Sequence, residues 1–270
     1  MNEKRVTDMK GFTIATFNVN SVRSRMHIIE PWLHDSRVSI LCLQETKTKN
    51  EEFPETAFGE LGYKVAYSGE KGYNGVAVAS LESPDETSFG LGDGEEPDGT
   101  TRMAHCRFGD LNVINLYIPQ GKAIDHPDYP MKLRFFERLV KYLHKNLSPK
   151  EELVIVGDLN VAPTDMDVTH PERKRNHVCF HEDVKKAFRT LLEWGLEDVF
   201  RKHRPGEGEF SFWDYRVKNS VERNIGWRID HVLATPPLAK ASRDAWVDKN
   251  PRTWEKPSDH TPVVAAFDLQ

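Results

Sequence analysis

The pattern of apolar and polar positions along the chain predicts many short strands and rather few helices. The stretch LVIVGDLNVAP, residues 153 to 163, begins with an apolar run typical of a buried strand, and the run breaks at Gly157. Asp158 and Asn160 follow two positions apart, so both side chains leave the same face if the backbone is still extended. Taken alone, this pattern equally fits a turn that simply ends a strand.

Other stretches with strand character occur in groups on both sides of this one. They are FTIATFNVN (12–20), VSILCLQE (38–45), GYKVAYSG (62–69), GVAVAS (75–80), MAHCRF (103–108), LNVINLYIPQG (111–121), RIDHVLA (228–234) and PVVAAFDL (262–269). Helical spacing of apolar residues is confined to 22–33, 133–147 and 184–192. Because few helices separate the strands, a doubly wound parallel sheet fits poorly. We therefore predict an α/β fold, a four-layered sandwich of two packed, mainly antiparallel sheets flanked by helices.

The domain organisation predicted from the chain is simple. Residues 1–10 are mostly polar and are expected to form a flexible N-terminal tail. Residues 11–270 contain no short-period repeat, low-complexity segment or linker-like stretch, which indicates a single domain. No apolar run approaches the ~20 residues of a membrane span, and no secretory signal opens the chain.

Composition and cysteine use favour a globular protein of a reducing compartment. Charged residues make up 29% of the chain and hydrophobic residues 38%. The three cysteines are widely spaced, which argues against a disulfide framework or a zinc site and favours the cytoplasm. The net charge of −5 is unevenly placed, since residues 81–99 hold seven acidic and no basic residues. A polyanionic partner is therefore neither excluded nor indicated by charge.

Polar side chains that coordinate or titrate follow nearly every strongly apolar strand. They are Asn18, Glu45, Tyr117, Asp158 with Asn160, Asp230 and, before the last strand, His260. A single such residue usually meets solvent, but converging strand ends would form a cleft rich in oxygen ligands and poor in sulfur. Such a cleft suits Mg²⁺, whereas zinc would require more His or Cys. A metal of this kind beside an Asp and a His predicts hydrolysis of a phosphate ester.

The chain resembles the exonuclease III family of class II apurinic/apyrimidinic endonucleases, part of the endonuclease/exonuclease/phosphatase superfamily. The matching segments run in order from about residue 12 to the end: FNVNSVRSR, LCLQETK, KGYNGVAV, NLYIPQG, VGDLNVAPTDMDV, FSFWDYR, NIGWRIDHVLA and KPSDHTP. The segments QET, GDLN and SDH mark the superfamily, whereas PQG, SFWDYR and GWRID are typical of the DNA-repair branch. The resemblance implies a deoxyribonuclease I-like fold.

The resemblance also implies a metal site. Glu45 would be the principal Mg²⁺ ligand, with Asn18 beside it and Asp259 nearby as a secondary or water-mediated ligand. Asp158, Asn160 and His260 would lie close enough to contribute, and Mn²⁺ would be able to replace Mg²⁺.

For catalysis, the resemblance assigns Asp158 to the attacking water and Asn160 to the phosphate or water. Tyr117 would contact the phosphate or the leaving oxygen. His260 would donate to the scissile phosphate, oriented by Asp230. Whether Asp158 or a metal-bound hydroxide acts as the base is left open.

On the DNA side, the resemblance places Phe212, Trp227 and Ile229 around a pocket for a flipped-out abasic sugar. It places backbone contacts near five further residues: Arg23, Lys47, Gly72, Tyr73 and Gln120. The chain departs from the family pattern at Gln120, where several members carry Asn, and at His231. His231 is either a packed side chain or a group that narrows the pocket.

The function predicted is therefore a Mg²⁺-dependent DNA-repair phosphodiesterase. It would cut duplex DNA 5' to abasic sites and act as a 3'-5' exonuclease and 3'-phosphodiesterase, as a cytoplasmic, nucleoid-associated monomer. One alternative is a phosphoesterase on the same fold that acts on inositol phosphates or sphingomyelin. A second alternative is a DNA-binding module without catalysis.

Overall fold

The computed structural model describes residues 11–95 and 99–268, so the N-terminal tail expected at 1–10 lies outside the described residues. The strands are β1 (Phe12–Asn18), β2 (Ile40–Gln44), β3 (Lys64–Glu70), β4 (Tyr73–Ser80), β5 (Glu86–Phe89), β6 (Met103–Phe108), β7 (Leu111–Tyr117), β8 (Glu152–Asp158), β9 (Glu197–Asp198), β10 (Asp230–Ala234), β11 (Ser242–Val247) and β12 (Val263–Phe267). The helices are α1 (Val22–Ser36), α2 (Glu55–Glu60), α3 (Asp128–Asn146), α4 (Glu182–Glu193), α5 (Val199–His203) and α6 (Pro236–Ala241). None of these helices is long and apolar enough to cross a membrane.

The strands form two six-stranded sheets, with the orders β11-β12-β1-β2-β4-β3 and β5-β6-β7-β8-β10-β9. Each sheet contains one parallel pair, β1 with β2 and β7 with β8, and its other neighbouring strands are antiparallel. The prediction of two mainly antiparallel sheets is confirmed.

Alternation of side chains along the strands divides the core into layers. Ile14, Val113 and Val154 point into the space between the two sheets. Their neighbours point outwards: Phe17 packs with α1 on one side, and Ile155 packs with α3 and α4 on the other. Helices therefore cover both outer faces, which confirms the four-layered sandwich.

The described part of the acidic stretch, residues 81–95, is built into the fold, although the sequence pattern did not predict a strand there. β5 begins at Glu86 and pairs with β6. Asp93 accepts two hydrogen bonds of 2.7 Å from Arg138, whose side chain lies on α3. Arg107 of β6 forms an ion pair with Glu86, so arginines of β6 and α3 partly neutralise the described acidic charge.

Two buried amides join the sheets below one end of the sandwich. Gln44 Nε2 donates to Asn115 Oδ1 at 2.6 Å. Asn115 Nδ2 donates in turn to the carbonyl oxygens of Leu43 and Ala77, both at 2.9 Å. A buried polar network of this kind tolerates little displacement, because a lost partner leaves an unpaired group. It fixes the relative position of the two sheets at the end where the polar strand ends lie.

Candidate active site

The polar residues singled out beside the apolar strands converge at one end of the sandwich. The two parallel strand pairs bring Asn18 beside Gln44 in one sheet and Tyr117 beside Asp158 in the other. Asp230 begins its strand rather than ending it, which corrects the expectation. Because β10 runs antiparallel to β8, Asp230 nevertheless pairs with Asp158.

Asn18 links the two sheets through its side-chain amide. Its Nδ2 donates to Glu45 Oε1 at 2.8 Å and to Asp158 Oδ2 at 2.9 Å. Its Oδ1 accepts a hydrogen bond from the backbone N–H of Asn20 at 3.1 Å, which fixes the orientation of the amide. The amide thus holds two carboxylates close together at the bottom of a cleft.

His260 and Asp230 form a buried hydrogen-bonded pair. The distance from His260 Nδ1 to Asp230 Oδ2 is 2.8 Å, and His260 Nε2 lies 3.7 Å from Asp158 Oδ2. Burial alone would lower the pKa of His260, but the carboxylates of Asp230 and Asp158 raise it to about 10. Burial raises the pKa of Asp158 to about 7, against the opposing effect of His260. The cleft therefore holds the imidazolium of His260 as a donor beside the carboxyl group of Asp158, which can exchange a proton near neutral pH.

The turn after β8 explains why the GDLN residues lie at this position. Gly157 has a φ of 147°, and a Cβ there would lie 2.0 Å from the carbonyl oxygen of Leu116. Only glycine allows the strands to approach this closely. Asn160 adopts the left-handed conformation, and its backbone N–H donates to Asp158 Oδ1 at 2.9 Å. Its Nδ2 donates to the carbonyl oxygen of Ile118 at 3.0 Å, so the amide is held at the cleft floor.

The oxygen-rich donor set fits a hard divalent cation. Glu45 accepts from Asn18 and forms an ion pair of 2.7 Å with Lys47. Burial opposes the charge of Glu45, but Lys47 and Asn18 keep the pKa of its carboxyl below the usual range. Asp158, Asp230 and His260 also offer ligand atoms within 4.8 Å of one another. Glu45 and this second group are therefore two places in the cleft where oxygen ligands could hold a cation.

Tyr117 lines the cleft and has the carboxylates of Glu45 and Asp158 as neighbours. Burial raises the pKa of its phenol well above the usual value, and the neighbouring carboxylates of Glu45 and Asp158 add to this effect. The hydroxyl therefore stays protonated and can donate to a phosphate oxygen.

An aromatic and aliphatic wall adjoins the polar floor, in a cleft of about 250 Å³. Phe212, Trp227 and Ile229 all line it, together with Gln120 and Asp259. The ring of Phe212 lies 4.9 Å from that of His260, measured between centroids. A wider depression of about 990 Å³ lies where β7 and β8 begin, and none of the predicted site residues lines it. The larger cavity therefore lies at the opposite end of the sheet from the cluster of polar residues.

Four lining residues were missed by the sequence reasoning: His177, Cys179, Asp214 and Arg216. The ring of His177 lies 4.5 Å from that of Trp227. The segment that carries His177 and Cys179 has neither strand nor helix periodicity, so only its spatial position identifies them. Asp214 and Arg216 belong to FSFWDYR, one of the segments that carry the family resemblance, so this segment was the signal that could have identified them.

The residues predicted to contact the DNA backbone lie outside the cleft, except Gln120. Arg23 is paired with Glu52 at 2.8 Å, on the surface. Gly72 and Tyr73 lie at the turn between β3 and β4, where Tyr73 is 73% exposed. Lys47 donates to Asn20 Oδ1 at 2.6 Å as well as pairing with Glu45. Contact between these residues and DNA remains a prediction.

His231 does not narrow the cleft. Its side chain is fully buried on the opposite face of β10 from Asp230, where its ring lies 4.9 Å from that of Phe188 on α4. Its Nε2 lies 2.8 Å from the carbonyl oxygen of Val161, and its Nδ1 lies 3.2 Å from Arg228 Nη1. Strand alternation places adjacent residues on opposite faces, so His231 is a packed side chain.

Comparison with known proteins agrees with this geometry. The endonuclease/exonuclease/phosphatase family matches residues 15–260. Exodeoxyribonuclease III of Haemophilus influenzae is 35% identical over 93% of this chain and 98% of its own length. An AP endonuclease structure from Archaeoglobus fulgidus is 51% identical, with a TM-score of 0.93, and the match covers 96% of this chain and all of that one.

A third relative is a Neisseria 3' phosphatase whose structure was determined with a product DNA hairpin. It is 35% identical, with a TM-score of 0.88, over 96% of this chain and 100% of that chain. The deoxyribonuclease I-like sandwich and the family resemblance are both confirmed. The chain therefore belongs to the endonuclease/exonuclease/phosphatase family, in the branch of exodeoxyribonuclease III and the AP endonucleases, and it is a nuclease of the DNA-repair type.

Proposed function

We propose that the protein is a divalent-metal-dependent DNA-repair phosphodiesterase that cuts duplex DNA 5' to abasic sites and also removes nucleotides or blocking groups from 3' ends. One observation carries the proposal. Asn18 joins Glu45 to Asp158 at the floor of a cleft in which His260 is held by Asp230. Two carboxylates beside a protonated imidazole can bind a cation and a phosphate diester together, and an apolar wall lies next to them.

The chain's own residues have separable roles in hydrolysis. Asp158, with its raised pKa, orients the attacking water and accepts its proton. The protonated His260 donates to a non-bridging oxygen of the scissile phosphate and stabilises the charge that develops there. Tyr117 donates to the phosphate or to the leaving 3' oxygen, and Asn160 positions the phosphate.

A cation completes the charge balance. Glu45 would hold Mg²⁺, with Asn18 and Asp259 nearby, and Mn²⁺ would be able to replace it. When bound, the ion neutralises phosphate charge and supports the leaving oxygen.

The apolar wall accounts for substrate choice. Phe212, Trp227 and Ile229 offer a small, largely apolar surface that suits a deoxyribose without its base. This wall, in which Trp227 is only 9% exposed, disfavours a flipped-out internal nucleotide that still carries its base. The relatives named above, an exodeoxyribonuclease III and a 3' phosphatase bound to a DNA hairpin, favour a DNA substrate over inositol phosphates or sphingomyelin.

The biological setting is proposed on the same basis. Duplex DNA with abasic sites or blocked 3' ends is the partner, with no membrane involved. The protein acts in the cytoplasm, on nucleoid DNA, as a monomer with a single catalytic domain over residues 11–270.

An incision assay tests the proposal directly. A labelled duplex carrying one tetrahydrofuran abasic analogue is incubated with the protein and Mg²⁺, and a second sample receives a chelator. We expect a single cut 5' to the analogue with Mg²⁺ and none with the chelator. An undamaged 3'-recessed duplex measures exonuclease action in parallel, and Glu45→Gln serves as the matched variant. Absence of any metal-dependent cut on both substrates contradicts the proposal.

A further inference from the structure

A lysine occupies an apolar position of α3. The buried face of this helix carries Tyr129, Lys132, Phe136, Leu139 and Leu143, at the three- and four-residue spacing of a core-facing stripe. Lys132 is fully buried, and burial lowers the pKa of its ammonium group. Within the described chain no carboxylate lies within ion-pair distance of Lys132. A buried charge without a carboxylate partner is costly unless other polar groups satisfy it.

Three carbonyl oxygens provide that satisfaction. The Nζ of Lys132 donates to the carbonyl oxygen of Asn160 at 2.6 Å, of Val178 at 2.8 Å and of Gln120 at 3.2 Å. An ammonium group has three N–H donors, so each one is used. The three acceptors are far apart in sequence and lie in three different loops.

Each of these loops supplies side chains to the cleft. Gln120 follows β7, and Asn160 follows β8, and both line the cleft. Val178 lies between His177 and Cys179, which line it from the third side. A backbone hydrogen bond of 2.7 Å from Ala162 to Cys179 joins two of the loops independently. The third is held close to the lysine stem, since a Cβ at Gly121 would lie 3.4 Å from Lys132 Cδ.

We propose that Lys132 is a positioning residue that clasps the three cleft loops through their carbonyl oxygens, in the manner of a structural cation. It does not touch substrate. It sets the position of Asn160, and with it the bound phosphate, relative to His177, whose ring lies beside Trp227 of the apolar wall. The catalytic part of this inference rests on the proposed function, whereas the clasp itself can be tested without any substrate.

Two readouts test the clasp. Lys132→Met keeps an unbranched apolar stem but removes all three donors. We expect hydrogen exchange to accelerate at least tenfold together at 120–123, 159–162 and 177–180, with the sheet strands unaffected. We also expect the kcat for abasic incision to fall at least tenfold while KM changes less than threefold, measured well below the melting temperature. A purely structural role would not separate kcat from KM in this way.

Lys185→Met is the matched control. Lys185 is also largely buried, at 6% exposure, but its ammonium group lies over the ring of Phe180, 3.2 Å from the centroid. The control should leave kcat and exchange at 120–123 and 159–162 near wild-type values, because the ring that Lys185 contacts, Phe180, belongs to the 177–180 segment. Lys132→Gln, whose shorter amide can donate two hydrogen bonds, should fall between the wild type and Lys132→Met, and it provides the test if the methionine variant does not fold.

The following results would overturn the inference. One is a folded Lys132→Met or Lys132→Gln protein whose three loops exchange at wild-type rates. Another is a uniform acceleration over the whole chain, because that indicates general destabilisation. If the wild-type protein cuts no DNA, the proposed function fails, and the exchange measurement still decides whether Lys132 holds the loops together.

Discussion

Replacing Asp230 with asparagine should separate the orientation of His260 from its charge. Asp230 is fully buried, and its Oδ2 accepts a hydrogen bond of 2.8 Å from His260 Nδ1. Asparagine has nearly the same shape, so the variant removes the negative charge and leaves the packing almost unchanged. The effect should therefore be on chemistry more than on folding.

The magnitude follows from the electrostatics of the pair. In the wild type the pKa of His260 is raised to about 10, although burial acts to lower it. Without the Asp230 carboxylate the burial effect is opposed much less, and the pKa of His260 should fall towards or below the ordinary value of ~6.5. At pH 8 the imidazole would then be neutral in the variant and protonated in the wild type. Loss of a positioned proton donor typically costs about 10²- to 10⁴-fold in rate.

The sign of the pH dependence gives a stricter test. A neutral His260 regains its proton as the pH falls, so the ratio of wild-type to variant kcat should shrink between pH 8 and pH 5.5. Taking the ratio at each pH reduces the influence of groups whose pKa is the same in both proteins.

Single-turnover incision of a labelled abasic duplex, at saturating enzyme, measures the chemical step. Asp110→Asn is the matched control, because Asp110 is an exposed carboxylate between β6 and β7, at the far end of the sheet. The reasoning is refuted if Asp230→Asn keeps its rate within threefold of the wild type at pH 8. It is also refuted if the loss is the same at every pH.

Three further predictions concern separate parts of the molecule. Asp158→Asn should abolish turnover but leave the affinity for abasic duplex within about threefold, and an equal collapse of binding would make the residue structural. Arg228→Met should destabilise the protein by about 3–5 kcal/mol in urea unfolding, because Arg228 is buried and donates to Asp167 at 2.6 Å. The guanidinium groups of Arg228 and Arg201 hold the pKa of Asp167 below its usual range despite burial. The loss of stability should therefore be present above pH ~4 and shrink as the pH falls further. His231→Ala should leave the ratio of abasic incision to exonuclease action unchanged while lowering stability by about 1–3 kcal/mol, and a changed ratio would place His231 at the cleft after all.

Periodicity was sufficient for the elements with strong apolar patterns and failed where distant partners stabilise a segment or a side chain that has no such pattern. The apolar runs that became β1, β2, β7 and β8 were recognised, since strands buried on both faces need no alternation. The strand Glu86–Phe89 was missed because three of its four residues are polar and its pairing with β6 supplies the stabilisation. Lys132 was passed over for the opposite reason: a charged residue in an apolar stripe is expected to face solvent.

Residue chemistry at the strand ends was enough to predict an oxygen-rich site for a phosphate ester, and the motif segments were enough to predict the family. The sequence alone thus determined the fold class, the reaction type and the set of polar residues at the cleft floor, because each is encoded in short stretches. Only the tertiary structure decided which faces these residues occupy. It placed His231 against α4 and brought His177 to the cleft, and it joined Gln120, Asn160 and Val178 on one ammonium group. These are contacts between residues far apart in the chain, and no local pattern specifies them.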